Sequence, residues 1–288
     1  MEQLTVTTGD GVRLACWDFG GSGTPLLMLH GVGLNGHCWA PVAGLMGEGF
    51  RLLALDLRGH GASGRSPDGR YGWHRFAADV LEVVDGLGLA GARHDLAGVR
   101  GVAGVGHSAG ASALLLAEAG HPGTFTRLWA WEPIVSVPGS SLREQRSSEF
   151  AQRARRRRSH FSSVAEARAH LEGRGLFAEF SPEAFEAFLS GGLVPAGRGG
   201  VELACRAEDE ANAYEAAARN GLWECLEAAR GPVRVVGGAT SAAVPGRELA
   251  AIAARLPAGG AVVMPSVGHF GPFQDPAAIA ADITGWAR

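Results

Sequence analysis

A chain of 288 residues, 46% hydrophobic and 19% charged, has an ordinary globular composition. It is long enough for one large α/β domain, or for such a domain with an insertion. The formal net charge of −3 argues against nucleic acid or an anionic membrane as partner, because neither is drawn to a mildly acidic protein. All fixed positive charge is arginine, and its one dense run, Arg153 to Arg158, reads as the solvated face of a helix.

The N-terminus, MEQLTVTTGDGVRL, lacks the basic start and apolar stretch of a signal peptide. No segment reaches the run of about 18 apolar residues that a membrane span needs, so a cytoplasmic protein is expected. Cys16, Cys38, Cys205 and Cys225 are widely spaced, with no CxxC pair and no zinc-type spacing, which predicts reduced thiols and no metal site.

The first elements read as a hairpin, LTVTT and VRLACWDF around the turn Gly9-Asp10-Gly11. A buried strand over Pro25–Leu29 ends at His30-Gly31, and a second over Arg51–Leu55 ends at Asp56-Leu57-Arg58-Gly59-His60-Gly61. Helical spacing runs from about Trp73 to Leu87, with Phe76, Val80, Val83 and Val84 on one side. The short strand Val102–Val105 leads into Gly106-His107-Ser108-Ala109-Gly110 and an apolar helix that stops at Gly120-His121-Pro122. Leu128–Trp131 is a further strand, closing on Glu132-Pro133. Near-continuous apolar strands alternating with helices predict a mostly parallel sheet with helices on both faces.

The alternation then breaks. Residues 137–221 read as helical and polar with no central strand; Ser163 and Ser181 are expected helix N-caps, the first within a capping box and the second before Pro182. Strand character returns at Pro232–Val236 and Ala261–Met264, followed by a terminal helix. The expected organisation is a core of residues 1–136 and 222–288 interrupted by a helical insertion, 137–221.

The chemistry concentrates at the strand ends. Gly106-x-Ser108-x-Gly110 between a buried strand and a helix is a nucleophile elbow, a strained turn that lifts the serine hydroxyl to the carboxyl edge of the sheet, at a helix N-terminus. An oxyanion hole needs two converging N–H donors, and the candidates are Ala109, after the serine, and Val32, in the Gly-rich loop after the Pro25–Leu29 strand. His269 follows the last strand, at the chain position a general base takes in the Ser–acid–His order, and histidine's ordinary pKa of about 6.5 suits that role. His107, His30 and His60 are expected to brace loops, and Asp56 and Arg58 to pair with each other. Trp39, Trp131 and Phe270 lie beside these motifs as candidate lining of an apolar substrate pocket.

His30-Gly31, the DLRGHGAS stretch from Asp56 to Ser63, the Gly106–Gly110 elbow and Gly268-His269 together resemble the α/β-hydrolase superfamily, in particular its capped lineage of esterases, lactonases, C–C hydrolases, dehalogenases and epoxide hydrolases. The resemblance implies an α/β-hydrolase fold over all of the chain except the insertion, which would correspond to that lineage's helical cap. The family usually places its acid after the strand equivalent to Val233–Val236; here that stretch reads Gly238-Ala239-Thr240-Ser241-Ala242, with no carboxylate. Some members take the acid from the end of the strand after the nucleophile helix, a position held here by Glu132.

A serine nucleophile disfavours the dehalogenase and epoxide-hydrolase branches, because an alkylated serine is a dead-end ether. The expectation is a serine hydrolase of small to medium, largely apolar carboxylic esters or lactones, with Ser108 as nucleophile, His269 as base and Glu132 as acid. C–C bond hydrolysis and acyl transfer or thioester cleavage remain open with the same residues, as does a small-molecule receptor that does not turn over. None of these chemistries requires a metal or an organic cofactor.

Overall fold

The computed structural model describes residues 1–91, 101–138 and 142–287, so residues 92–100 of the expected core and 139–141 of the expected insertion lie outside the described residues. The first half runs β1 (Glu2–Thr7), β2 (Arg13–Gly20), β3 (Thr24–Leu29), α1 (Ala40–Leu45), β4 (Phe50–Leu55), α2 (Trp73–Gly86), β5 (Val102–His107), α3 (Ala109–Gly120) and β6 (Phe125–Trp131). Then follow α4 (Leu142–Arg156), β7 (His160–Phe161), α5 (Val164–Leu171), α6 (Pro182–Gly192), β8 (Leu193–Pro195), β9 (Val201–Leu203) and α7 (Ala207–Ala217). The chain closes with α8 (Leu222–Cys225), β10 (Val233–Gly238), α9 (Gly246–Arg255), β11 (Gly259–Met264), α10 (Gly271–Gln274) and α11 (Pro276–Ala287).

Eight strands form one sheet in the order β1-β2-β4-β3-β5-β6-β10-β11. Pairing is parallel from β4 through β11, and the β1–β2 hairpin joins one edge antiparallel to β4. Alternate residues of a strand face opposite sides, and the core divides accordingly. Leu27 and Leu29 pack with Val80 of α2, Leu114 of α3 and Ile252 of α9; Leu26 and Met28 pack with Val42 of α1 and Ile279 and Ile283 of α11. Covering on both faces explains why these strands read as continuous apolar runs. No helix among the described residues is long and apolar enough to cross a membrane.

Within 142–217 the helices α4–α7 lie outside the main sheet, and both expected N-caps are present: Ser163 accepts from Glu166 N–H and Ser181 from Ala184 N–H. The segment also holds a separate antiparallel sheet, β7-β9-β8, which the sequence pattern does not reveal because strands of two or three residues are too short to display a period. The arginine run is mostly solvated, but it is also paired. Arg155 bridges Glu208 and Glu215 of α7, Arg158 meets Glu166, and Arg157 turns inward to Glu210.

The expected Asp56–Arg58 pair does not form. Asp56 is claimed by three donors: Gly36 N–H at 2.6 Å, Ala62 N–H at 2.8 Å and Trp17 Nε1–H at 2.9 Å. Arg58 instead turns toward α2 and the hairpin, donating to Asp79 and Asp10. Arg58 and Asp79 are both fully buried, and burial pushes the Asp79 carboxyl up while the guanidinium opposes it. Removing one member of a buried pair strands the other charge, so Arg58→Ala should lower unfolding free energy by about 3–5 kcal/mol in urea titration. A loss below about 1 kcal/mol would mean that water reaches Asp79.

Candidate active site

Neighbouring parallel strands end on one edge, and β5, β6, β10 and β11 each deliver one polar residue there. Ser108 follows β5 with φ +54° and ψ −116°, a conformation that non-glycine residues seldom adopt. The residues two before and two after it must be glycine. A Cβ on Gly106 would lie 2.5 Å from Ala111 backbone atoms, and one on Gly110 2.6 Å from the Leu29 and His30 carbonyls. Strand and helix therefore cross in contact, with Ser108 at the N-terminal end of α3 and partly accessible.

Glu132 follows β6, fully buried and also at positive φ (+41°). Its backbone N–H donates to Val236 O at 2.7 Å, and Ser112 of α3 anchors the next turn through Ile134 N–H and O. To reach the residues after β11 the side chain must cross the end of β10, since strands lie about 4.8 Å apart. Gly237 makes this possible: a Cβ there would sit 3.2 Å from Glu132 Cγ and 2.4 Å from Leu249 Cδ1. The longer reach of Glu spans the gap. Glu132 Oε1 accepts from Gly238 N–H at 2.9 Å, and Oε2 accepts from Ser241 Oγ–H and from His269 Nδ1–H, both at 2.7 Å.

His269 is held by its backbone as well as its ring. Its carbonyl accepts from Trp131 Nε1–H at 2.8 Å and from His107 Nε2–H at 3.0 Å. The Nδ1–H bond to Glu132 leaves Nε2 of the ring as acceptor, facing away from the acid. Among the described residues neither His269 Nε2 nor Ser108 Oγ has a hydrogen-bond partner, and such contacts commonly tighten only when substrate is bound.

The Gly31–Gly33 loop approaches the serine closely, for a Cβ on Gly31 would lie 3.1 Å from Ser108 Cβ. Neither Val32 N–H nor Ala109 N–H makes a hydrogen bond among the described residues. The loop is braced by buried histidines. His60 Nε2 accepts from Gly33 N–H and His30 Nε2 from Leu57 N–H, while His30 Nδ1–H donates to the Gly31 carbonyl. Burial drives the pKa of His30 and His107 well down and that of His60 down to about 4, so all three act as neutral hydrogen-bonding wedges.

Of the three aromatic candidates, two lie in the core. Trp39 is fully buried edge-on to Phe273, and Trp131 is fully buried, stacked on Trp129. Packing claims both rings because they sit beneath the loops, and Trp131 is covered by Gly271, where a Cβ would meet its ring at 2.2 Å. Phe270 is half-buried against His107, His269 and Phe180. A cavity of about 180 Å³ lies alongside Gly33, lined by residues of the 142–217 segment including Arg157, Phe177, Phe188 and Glu210. Two contributors escape a reading of the sequence: Ser241, whose hydroxyl only the fold brings to Glu132, and the Trp131 indole N–H on His269.

Residues 26–282 match the Alpha/beta hydrolase family. The chain belongs to that family. Similar sequences include a bifunctional esterase/perhydrolase of Acinetobacter calcoaceticus, 37% identical over 41% of this chain and 39% of the relative, and N-formylmaleamate deformylase of Pseudomonas putida, 35% identical over 46% of each. The chain thus matches less than half the length of these relatives. Among solved structures, E-2-(acetamidomethylene)succinate hydrolase superposes with a TM-score of 0.84 at 23% identity, over 99% of this chain and 98% of that one. A malate-bound esterase from Thermogutta terrifontis gives 0.74 at 24% identity, over 100% of this chain and 98% of that one. At such identities the two structures speak for the fold alone. The α/β-hydrolase fold expected from the motifs is the fold of this chain.

Proposed function

We propose that this α/β hydrolase is a serine hydrolase that cleaves a small to medium carboxylic ester or lactone through an acyl-enzyme. The observation that supports this most is the 2.7 Å contact of Glu132 Oε2 with His269 Nδ1, beside a serine held in a strained turn. His269 Nε2 takes the Ser108 proton as Oγ attacks the substrate carbonyl, and Glu132 holds the imidazole's tautomer and steadies the imidazolium. The N–H groups of Val32 and Ala109 receive the oxyanion; His269 then gives its proton to the leaving group and activates the water that releases the acid. Segment 137–221 serves as a cap that encloses the substrate. Relatives named for ester and formyl-amide cleavage fit acyl chemistry, and a fluoroacetate dehalogenase of Burkholderia sp, 39% identical over 30% of its own length, marks the branch that a serine disfavours.

The test is covalent. A fluorophosphonate should label the protein once per chain, at Ser108 by peptide mass spectrometry, and p-nitrophenyl esters of two to twelve carbons should turn over many times. Labelling elsewhere, or a single-turnover burst without steady state, would replace this reading by a receptor.

Ser241 serves as a positioning residue: its hydroxyl and the Gly238 N–H fix Glu132 while His269 bonds the same oxygen as Ser241. Hydrogen bonds to a charged group are worth about 1.5–3 kcal/mol, so Ser241→Ala should lower kcat/KM about tenfold or more. The loss should fall on kcat with KM little changed, because Ser241 acts on the acid and not on the substrate. Ser241→Thr should restore the rate; a loss carried by KM alone would reduce Ser241 to loop packing.

A further inference from the structure

The cavity beside Gly33 contains charge that packing does not explain. Leu171, Leu176, Phe177 and Phe188 supply apolar lining, and Arg157, Arg158, His170 and Glu210 supply polar side chains. The Glu210 side chain is only 8% exposed, and its Oε2 lies 2.5 Å from Arg157 Nε. The contact is an ion pair of poor hydrogen-bond angle, and neither atom has a further partner. Glu210 Oε1 packs on Gly33, where a Cβ would lie 2.8 Å away. Arg157 spends Nη2 on the Cys205 carbonyl, and Nη1 has no partner among the described residues. Buried polar atoms are nearly always satisfied, and an underused ion pair on a cavity wall points to a ligand that completes it.

The cavity also borders the loop that approaches the serine. Gly33 is one residue beyond Val32, and Tyr214 of α7 places its hydroxyl 3.5 Å from the Val32 carbonyl. Ring contacts lead from Phe177 to Phe180 (5.4 Å), to Phe270 (5.7 Å) and to His269 (5.1 Å). An acyl chain attached at Ser108 would have this aromatic wall to follow toward the cavity.

We propose that this cavity is a subsite for a terminal carboxylate, so that the preferred substrate is an ester whose acyl chain ends in an acid, held by Arg157. The proposal rests on the serine-hydrolase reading. Arginine's planar donors suit a carboxylate, and the apolar walls suit the methylenes that precede it. Arg158 does not compete for the role, because Glu166 and the Phe161 ring already hold its guanidinium. Glu210 is the arginine's present partner: burial raises its carboxyl above the ordinary range while the Arg157 guanidinium opposes that rise.

The experiment compares mono-p-nitrophenyl esters of adipic, pimelic and suberic acids with methyl-ended and carbamoyl-ended esters of equal length. On wild type the acid-ended ester should lead the methyl-ended one at least tenfold in kcat/KM, mainly through KM. Arg157→Gln should cut that ratio at least tenfold, whereas Glu210→Gln, which frees the arginine, should keep or raise it. A brace between α4 and α7 would instead make the two variants fall together on all esters, and that result would overturn the proposal. So would a ratio near one, or a lead by the carbamoyl-ended ester. If no ester is hydrolysed the serine-hydrolase reading fails separately, and calorimetric binding of adipate then judges the subsite: binding lost in Arg157→Gln upholds it, and no binding to wild type ends it.

Discussion

Ser108→Ala should lower kcat about a million-fold on any p-nitrophenyl ester the wild type hydrolyses, the loss found where a catalytic serine is removed from a working triad. About 10³–10⁴ over the reaction in water should survive, supplied by the oxyanion donors and by binding, neither of which the substitution touches. KM should change little, because the lost hydroxyl acts on the reacting carbonyl and not on the rest of the substrate. The fold should be indifferent. Ser108 Oγ holds no hydrogen bond among the described residues, and the Cβ that occupies the strained φ of +54° is retained, so unfolding free energy should move by less than about 0.5 kcal/mol. Activity within tenfold of wild type would end the acyl-enzyme mechanism for this chain.

Glu132→Gln is the more informative change. The carboxylate holds three donors, and an amide can keep only part of that set. One orientation sets its NH2 against the Gly238 N–H; with its oxygen kept on Gly238 N–H, its NH2 takes the place of Oε2 and faces both Ser241 and His269 Nδ1. That forces the tautomer with the proton on Nε2, which cannot accept the proton of Ser108. The same substitution of acid by amide in a serine protease costs about 10⁴ in kcat, and a loss of three to four orders of magnitude is expected here. Hydroxide can replace a misoriented base, so residual activity should climb with pH well beyond the range where wild type is flat. Near-wild-type rates would mean that another carboxylate serves His269.

Both expectations begin with features legible along the chain. The elbow can be read there because its cause is local: three small residues around a serine, between an apolar run and a helix, admit few backbone shapes. The same holds for the parallel sheet, whose strands are buried on both faces and carry continuous apolar sequence. His269 can be nominated by its place after the last strand, and Glu132 by the absence of any carboxylate between Gly238 and Ala242.

What the chain could not disclose depends on the order of strands in space. Glu132 and His269 are separated by β10, and the 2.7 Å contact exists because Gly237 clears the way. Ser241 becomes a partner of Glu132 by the same accident of neighbouring strand ends, and a lone serine in a loop carries no local mark of it. Trp39 and Trp131 sit beside the motifs in sequence but beneath them in the fold, since side-chain direction alternates and the loops fold over. Asp56 and Arg58 are two residues apart and answer to different partners, one to backbone N–H groups above the sheet edge and the other to α2 and the hairpin. The cavity with Arg157 and Glu210 is the extreme case, because it joins the turn after α4, α7 and the loop after β3, which only tertiary packing can bring to a common wall. Local sterics are written in adjacent residues; the pairing of charges across strands and helices is decided where distant segments meet.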